Sequence, residues 1–327
     1  MRPPLRRALC ALVIARSCLS SQQHTEHAPD NWAVIVSTSR FWHNYRHAAN
    51  ALGIYRLVRR LGIPDSQIVL MLAEDVGCNG RNSLPGEVYM DSGHRLANLL
   101  GGDPAADVAD TEGAGRQLAA EVDYRGLDVN LETFTRLLTG RHAPSTPLSR
   151  QLLSGGNSSV LIYLTGHGGD EFLKFHDSEE MGASDLAWAI EEMHLKRRYG
   201  RLMLFADTCQ AGTRANQLRS PGVVSIASSH LGESSYSSSS DALLGVSLLD
   251  RFTEATIRFF DQTIGRSGRA RSMGTATLRA LLSSVDPVRI RSNPEVRGDL
   301  WTDGPASEVL LADFFGRGEP REVVVGD

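Results

Sequence analysis

Five short apolar runs limit what this chain can fold into more than any other feature of its sequence. Apolar residues follow one another in these runs without regular alternation with polar ones, which is typical of strands buried on both faces of a parallel sheet. The predicted strands are 31–39, 67–72, 159–164, 202–206 and 223–227. Because parallel neighbours need a crossover connection, the pattern predicts an α/β protein, a sandwich with a mostly parallel central sheet.

Helical patterns fill several of the intervals between these runs. Apolar positions recur at helical spacing in residues 45–61, and Gly62 with Pro64 ends that helix. Further helices are predicted at 130–139, at 184–199 between a Ser184 cap and Gly200, and at 243–260. Residues 78–120 are rich in Gly, Asn, Asp and Ala without a steady period, which indicates a surface excursion.

The predicted folded domain covers residues 31–260, with different segments at its two ends. Residues 1–20 form a predicted signal peptide, because a basic start is followed by the apolar run 8–15 and by small residues that suit signal peptidase. An ordinary N-terminal helix is the alternative. Residues 261–327 are predicted as a linker and C-terminal extension. The mature protein is therefore expected in the secretory pathway, and its net charge of −4 argues against nucleic acid as a partner.

Two of the predicted strands end in reactive residues, His167 after the third strand and Cys209 after the fourth. Ligands of open α/β sheets bind beyond the carboxyl ends of strands, and a right-handed crossover can bring these two ends side by side. An imidazole beside a thiol is what nucleophilic cysteine catalysis requires, and the N–H groups of Gly168 and Cys209 are the predicted oxyanion hole. A turn histidine and a small buried cysteine are the structural alternatives.

Long segments around these residues resemble one known family. Three of them are YLTGHGGDEFLKFHDSEE (163–180), LFADTCQAGT (204–213) and NWAVIVSTSRFWHNYRHAAN (31–50). They are similar to the catalytic subunits of GPI-anchor transamidases, which are legumain-like cysteine peptidases with a caspase-like fold. The resemblance implies a three-layer caspase-like sandwich, with Cys209 as the nucleophile and His167 as its general base.

The resemblance also implies roles for residues around this pair. Asn44 matches the asparagine that orients the catalytic histidine, while capping of the following helix is the alternative. Arg46 and Asp207 match positions that form the pocket for the residue before the cleaved bond. Ser228 and Ser229 match the positions at which caspase-type enzymes pair with an extended substrate.

The resembled family is associated with a structural calcium ion. The matching positions in this chain are Asp65, Ile68 through its backbone carbonyl, Glu121 and Asp123. Hard oxygen ligands from two loops suit Ca²⁺. A solvated turn and a charged loop are the alternative for these acids, and no organic cofactor is expected.

Cys78 is the second thiol, beside Cys209, that removal of residues 1–20 would leave. A bridge between the two would destroy the nucleophile, so Cys78 in its polar, glycine-flanked loop is left over. A leftover thiol in a secretory protein indicates an intermolecular disulfide. The resembled subunits are disulfide-linked at this position to a larger luminal partner. A free surface thiol is the alternative.

The resemblance implies an enzyme of GPI-anchor biosynthesis in the lumen of the endoplasmic reticulum. It would cleave the C-terminal attachment signal of precursor proteins through a Cys209 thioester and transfer the new C-terminus to the ethanolamine amine of a GPI lipid. Other transamidase subunits are the expected partners, and they would hold a soluble, protozoan-type chain without a C-terminal span at the membrane. Two alternatives stay open, a legumain-type asparaginyl endopeptidase and a non-catalytic luminal assembly subunit. Gly166 disfavours the endopeptidase, because legumains carry Thr-Asp-His where this chain has Thr-Gly-His.

Overall fold

The computed structural model describes residues 30–91, 98–101, 119–264 and 273–317. Its strands are β1 (Asp30–Ser37), β2 (Ile68–Leu72), β3 (Tyr124–Arg125), β4 (Ser158–Thr165), β5 (Gly168–Gly169), β6 (Phe172–Phe175), β7 (Glu179–Gly182), β8 (Arg201–Asp207), β9 (Val223–Ala227) and β10 (Glu295–Arg297). Its α-helices are α1 (Tyr45–Arg60), α2 (Leu131–Thr139), α3 (Ala183–Leu195), α4 (Arg251–Ile264), α5 (Leu278–Ser284), α6 (Pro287–Ile290) and α7 (Ala312–Phe315).

Three of the predicted segments fall wholly or partly outside these residues. The signal peptide predicted at 1–20 lies outside them, and so do residues 92–97 and 102–118 of the predicted excursion and residues 265–272 and 318–327 of the predicted linker and extension. No helix in the described part combines the length and the apolar character that a bilayer span needs.

Seven of the described strands form one central sheet in the order β10-β9-β8-β4-β1-β2-β3. Neighbouring strands are parallel except β9 and β10, which are antiparallel. All five predicted strands are present, with small shifts at their ends. A separate antiparallel sheet of β5, β6 and β7 follows directly after β4. The predicted α/β class with a mostly parallel sheet is confirmed.

The register of the sheet brings successive loops to one edge. β1 pairs with β4 so that Ser37 lies opposite Thr165, and β4 pairs with β8 so that Thr165 lies opposite Asp207. Neighbouring strands are about 4.8 Å apart, so the segments that follow these strand ends emerge side by side. One of them carries His167 and the next carries Cys209.

Helices cover both faces of the central sheet, because successive residues of a strand point to opposite sides. On one face Ile35 and Phe205 pack with side chains of α1, α4 and α7. On the other face Val34 and Leu204 pack with side chains of α2 and α3. These layers confirm the predicted three-layer sandwich.

Residues 273–317 contribute to this core, although they were expected to belong to a linker and extension. Phe314 and Phe315 of α7 are fully buried, and the ring of Phe315 lies 4.6 Å from the ring of Phe260. Burial of each such ring contributes about 1.5–3 kcal/mol. β10 adds a strand to the sheet beside β9.

The N-terminal cap predicted for the helix at 184–199 is wrong. The helix begins at Ala183, and no side chain caps it in the manner predicted for Ser184. Instead, the Asp185 carboxylate reaches back and accepts a hydrogen bond from the Gly182 N–H (2.8 Å). An acid in the first turn satisfies a free donor and complements the helix dipole, which makes a capping serine unnecessary.

The end predicted for the same helix, before Gly200, is also wrong. The helix ends at Leu195, because Arg197 adopts a left-handed conformation with φ 52°. The Arg198 N–H then donates back to the Met193 carbonyl (2.8 Å). This is the bond of a Schellman turn, which stops a helix without glycine when another residue takes the left-handed position.

The helix predicted at 243–260 begins only at Arg251. The Asp241 carboxylate accepts a hydrogen bond from the Leu244 N–H (2.8 Å), and Gly245 has a positive φ of 68°. Aspartate that binds the backbone just ahead of it offers the chain a turn in place of a helix. Leu244, Val246, Leu248 and Leu249 are therefore buried in a loop, while Leu243 is exposed.

Candidate active site

The His167 loop starts where two chain segments approach each other closely. A Cβ on Gly166 would lie 2.1 Å from the hydroxyl oxygen of Thr38, which follows β1. The Thr38 N–H donates to the Thr165 carbonyl (3.0 Å), so the two segments stay in contact beyond their strands. Only glycine fits between them. This contact brings His167 beside the connection between β1 and α1.

Asn44, from that connection, hydrogen-bonds the predicted base. Its Oδ1 lies 2.8 Å from the His167 Nε2, and its Nδ2 donates to the Arg40 carbonyl (2.6 Å). Asn44 occupies the N-cap position of α1, but its side chain makes no capping hydrogen bond. The helix-cap alternative for this side chain is therefore wrong.

These two contacts fix the tautomer of His167. Because the Asn44 amide nitrogen is used as a donor, its oxygen faces the ring and accepts a hydrogen bond from the Nε2–H. The Nδ1 of His167 is then the ring atom left without a proton. A neutral imidazole held in this way presents one defined acceptor, which is what a general base needs.

Burial and neighbouring cations keep His167 neutral. Burial lowers the pKa of His167 below its ordinary value, and the nearby Arg46 guanidinium lowers it further. A second imidazole, that of His47, packs edge to face against His167 at a ring distance of 5.0 Å. The pKa of His47 is also well below its ordinary value, because the ring is completely buried beside Arg46. Both rings are uncharged at neutral pH.

Cys209 follows the end of β8 in a backbone turn that is held from behind. The Thr208 carbonyl, which belongs to the same peptide unit as the Cys209 N–H, accepts hydrogen bonds from the Ser228 and Ser229 hydroxyls (3.1 and 2.9 Å). The next residue, Gln210, has a positive φ of 52°. The half-buried Cys209 is an unpaired thiol. The peptide before it is therefore fixed while the thiol stays accessible.

Ser228 and Ser229 are completely buried. Besides the bonds to Thr208, the Ser229 hydroxyl accepts a hydrogen bond from the Ala211 N–H (3.1 Å). The Ser228 N–H donates to the Ala206 carbonyl (3.0 Å). The hydroxyl groups thus orient the turn that carries Cys209, and contact of these serines with a substrate stays a prediction.

Arg46 and Asp207 lie in one polar cluster, but the structure pairs each of them with another residue. The Arg46 Nε donates to the buried Asp250 carboxylate (3.1 Å). The buried Asp207 carboxylate accepts hydrogen bonds from the Ser235 hydroxyl (2.6 Å) and the Thr253 hydroxyl (2.6 Å). Burial and the charge of Asp207 raise the pKa of Asp250. Pocket formation by Arg46 and Asp207 stays a prediction.

Three buried residues of this region were missed at the level of sequence. His47 belongs to the segment predicted as an ordinary amphipathic helix, and Asp250 to the helix predicted at 243–260. Arg214 follows Cys209 in a segment without a predicted element. One feature of the sequence could have indicated them. Each is a charged or titratable residue inside or beside a predicted apolar element, and such a residue needs a hydrogen-bonding or charged partner when it is buried.

The acids matched to a calcium site are close together at the start of β2. The Tyr55 hydroxyl donates to Asp65 (2.5 Å), and Asp65 is hydrogen-bonded to Glu121, whose pKa is raised by that contact. Asp123 accepts a hydrogen bond from the Leu70 N–H (2.8 Å), and burial raises its pKa to about 7. Within the described ranges, no three acidic, histidine or cysteine side chains are gathered closely enough to hold a metal. The carboxylate chemistry fits Ca²⁺, but the side chains do not converge on one point.

The fourth matched position, Ile68, is the first residue of β2, and its side chain is buried. Cys78 lies further along the chain, exposed and unpaired. The negative charge of Asp75 raises the pKa of the Cys78 thiol, and the Cys78 N–H donates to the same carboxylate (3.1 Å). The thiol is thus on the surface, where another chain can reach it.

The architecture and the two strand-end residues define the class of protein: an α/β sandwich that presents a cysteine and an asparagine-bound histidine at one sheet edge. Residues 31–267 match the Peptidase C13 family. The chain belongs to that family.

Curated relatives are similar over most of the chain. The GPI-anchor transamidase of Schizosaccharomyces pombe is 43% identical, over 94% of this chain and 74% of its own length. That of Saccharomyces cerevisiae is 44% identical, over 96% of this chain and 72% of its own. That of Homo sapiens is 44% identical, over 88% of this chain and 66% of its own. Caspase-1 from Spodoptera frugiperda superposes with a TM-score of 0.45 at 11% identity, over 89% of this chain and 91% of the caspase.

Proposed function

We propose that this chain is the catalytic subunit of a GPI-anchor transamidase, with Cys209 as nucleophile and His167 as general base. The observation that carries the assignment is the hydrogen bond of His167 to Asn44 at the strand end next to that of Cys209. Membership of the Peptidase C13 family and identity of 43–44% to GPI-anchor transamidases support it.

The reaction begins with transfer of the Cys209 thiol proton to His167 Nδ1. The thiolate attacks the carbonyl carbon at the anchor site, and the N–H groups of Gly168 and Cys209 stabilise the oxyanion. The C-terminal attachment signal of the precursor then leaves, and its new amino group takes the proton from the imidazolium. A thioester remains on Cys209.

In the second half, the amine of the ethanolamine phosphate on a GPI lipid attacks this thioester and loses its proton to His167. The C–S bond breaks, the thiol recovers its proton, and a new amide has replaced the old one. No ATP is consumed, because the bond energy of the first amide is conserved in the thioester. Transfer to an amine competes with hydrolysis through the positioning of the lipid amine close to the thioester.

The test uses membranes from cells depleted of the native protein and resupplied with one variant. A precursor with a C-terminal GPI signal is added together with hydrazine, and the hydrazide product is measured. We expect hydrazide with the wild type and none with Cys209→Ala. Undiminished hydrazide with Cys209→Ala would contradict a catalytic role and favour a non-catalytic assembly subunit. Hydrolysed product without hydrazide would favour the asparaginyl endopeptidase.

The pocket for the residue before the cleaved bond is assigned to Arg46 and Asp207. Both lie close to the His167 loop, since Arg46 acts on the pKa of His167 and Asp207 is the last residue of β8. Ser228 and Ser229 act from behind, on the peptide that supplies the Cys209 N–H. Precursors with different anchor-site residues, compared in wild type and Arg46→Gln, test the pocket. A change in the ranking of residues supports it, and an unchanged ranking contradicts it.

The chain is assigned to the lumen of the endoplasmic reticulum, after cleavage of residues 1–20, and to the membrane through partner subunits. A disulfide from the exposed Cys78 to a larger luminal subunit fits this assembly. Non-reducing electrophoresis of the wild type should show a larger species that Cys78→Ser lacks. A single band of the free chain in both samples would contradict the bridge. Sequencing of the mature N-terminus tests the cleavage.

A structural calcium ion is assigned to Asp65, Glu121, Asp123 and the Ile68 carbonyl. A cation would offset the repulsion among the three carboxylates, and modest side-chain movement would bring their oxygens together. Metal content and thermal unfolding of the assembled complex, with Ca²⁺ and after chelation, test this. Bound calcium and a higher unfolding temperature in the wild type, both lost in Asp123→Asn, support the site. Equal curves for the wild type with and without Ca²⁺ contradict it.

A further inference from the structure

Arg214 is a buried cation in direct contact with both loops of the candidate site. It lies in the turn of residues 211–215 after Cys209, and its side chain is only 1% exposed. Among the described residues no carboxylate forms a salt bridge with its guanidinium, although the negative charge of the exposed Asp170 is near enough to act on its pKa. Burial lowers the pKa of Arg214 to about 10. A cation held in this way needs compensation from other groups.

Backbone carbonyls and hydroxyls provide that compensation. The Nη1 donates to the Gly169 carbonyl (2.7 Å) and the Nη2 to the Cys209 carbonyl (3.2 Å). The Thr213 and Thr208 hydroxyls accept from the same two nitrogens (3.1 and 3.4 Å). One planar group therefore bridges the loop after β4 and the loop after β8, together with the hydrogen bond that the Glu171 N–H donates to the Thr213 hydroxyl (2.8 Å).

The packing against Gly168 shows how closely the two loops are joined. A Cβ at Gly168 would lie 2.3 Å from the Arg214 Nη2 and 3.1 Å from the Thr208 hydroxyl oxygen. Glycine at this position lets the guanidinium lie directly against the backbone. The Cys209 carbonyl belongs to the peptide unit next to the one that carries the Cys209 N–H, and the Gly169 carbonyl lies two units along from the one that carries the Gly168 N–H.

We infer that Arg214 is a positioning residue that sets the distance between the Gly168 and Cys209 N–H groups. This role rests on the proposed function. The donors of an oxyanion hole must match the position of the developing charge, and misplacement by about 1 Å can cost 10²-fold in rate. A single guanidinium with donors on two arms can hold two carbonyls at a fixed separation, whereas a lysine ammonium is a point donor.

Arg214→Lys tests this role, because it keeps the positive charge but lacks the two nitrogen donors at a fixed separation. Arg198→Lys is the matched control. The half-buried Arg198 also joins two carbonyls, of Leu138 (2.8 Å) and Leu152, but at the opposite edge of the sheet, where β4 and β8 begin. Both variants are made in the full complex, and the rate of hydrazide formation is measured over a range of precursor concentrations, with thermal unfolding alongside.

We expect Arg214→Lys to lower kcat by about 10²-fold with little change in KM, and Arg198→Lys to leave kcat unchanged. In Arg214→Ala, added guanidinium ion should restore part of kcat by filling the cavity. Normal kcat in folded Arg214→Lys, or equal losses of kcat in the two lysine variants, overturns the role of Arg214. Absence of hydrazide in the wild type overturns the proposed function instead, so the two failures are separate.

Discussion

The two loops of the candidate site are held in different ways. In the His167 loop the functional side chain is held in addition to the backbone, because Asn44 accepts a hydrogen bond from the imidazole. The Cys209 loop is held through its backbone, because the Thr208 carbonyl accepts bonds from two serines. The difference matches two tasks. A base needs a fixed tautomer and ring orientation, whereas a nucleophile needs a free side chain on a fixed peptide.

The largest effect should come from removal of the His167 side chain from the His167 loop. We expect His167→Ala to lower the rate of hydrazide formation by about 10²–10⁴-fold, the range for a general base. His43→Ala, which removes an exposed imidazole near the same loop, should change the rate little. Comparable losses in both variants would mean that His167 acts through the local structure and not as the base.

In the Cys209 loop, removal of the hydroxyls that support the backbone should lower the stability of the protein. In the double variant Ser228→Ala with Ser229→Ala, the buried Thr208 carbonyl loses both partners, which should cost about 1–3 kcal/mol of unfolding free energy. Ser228→Ala keeps one partner for this carbonyl and should lose less than half of that, whereas Ser229→Ala should lose more because it also leaves the Ala211 N–H without its acceptor. Urea unfolding measures these values. Ser154→Ala, whose hydroxyl binds a carbonyl remote from the site (2.6 Å), is the control. Strict additivity of the single losses would contradict a shared acceptor.

Removal of the support for the base should have a smaller effect than removal of the base. Asn44→Ala breaks the neutral hydrogen bond to His167, worth about 0.5–1.5 kcal/mol, and so should lower kcat up to about tenfold. It also removes the bond to the Arg40 carbonyl (2.6 Å), so a small drop in the unfolding temperature should accompany the loss of kcat, although the side chain does not cap α1. A loss of stability without a loss of kcat would assign Asn44 to the helix after all.

The smallest effect concerns the pH profile of the base. His167 must be neutral to accept a proton, so the rate falls as the pH drops through its pKa. Because burial and Arg46 lower that pKa, the acid limb should lie below the ordinary histidine value of about 6.5. Arg46→Gln removes one of the two causes and should move the limb of kcat to higher pH. An unmoved limb would mean that another group controls it.

Much of this fold could be predicted because the strands are nearly pure apolar runs. Runs such as 159–164 and 202–206 are distinct from their surroundings, and each ends three positions before a reactive residue. The reactive pair could therefore be predicted from chain order and the crossover rule. The helix at 243–260 was misplaced for a physical reason, since one Asp241 side chain redirects the chain into a loop.

The supporting residues could not be predicted, because their partners are distant along the chain. Arg214 binds Gly169, and Ser228 binds Thr208, through backbone carbonyls that leave no trace in residue type. In the sequence Asp250 is an ordinary acidic residue next to Arg251, so its buried contact with Arg46 could not be predicted. Asn44 was assigned by resemblance, and only coordinates separate a ring contact from a helix cap.

The pairing of β4 with β8 also has a consequence for how the protein matures. The two strands are joined by a long crossover that includes a small sheet and α3, so their loops stay apart in the chain until this crossover has docked. Non-local strand pairing is slow compared with the formation of a helix. A nascent chain can thus hold most of its helices while Cys209 remains far from His167. Reactivity of the proposed Cys209–His167 pair would then appear only in the last stage of folding.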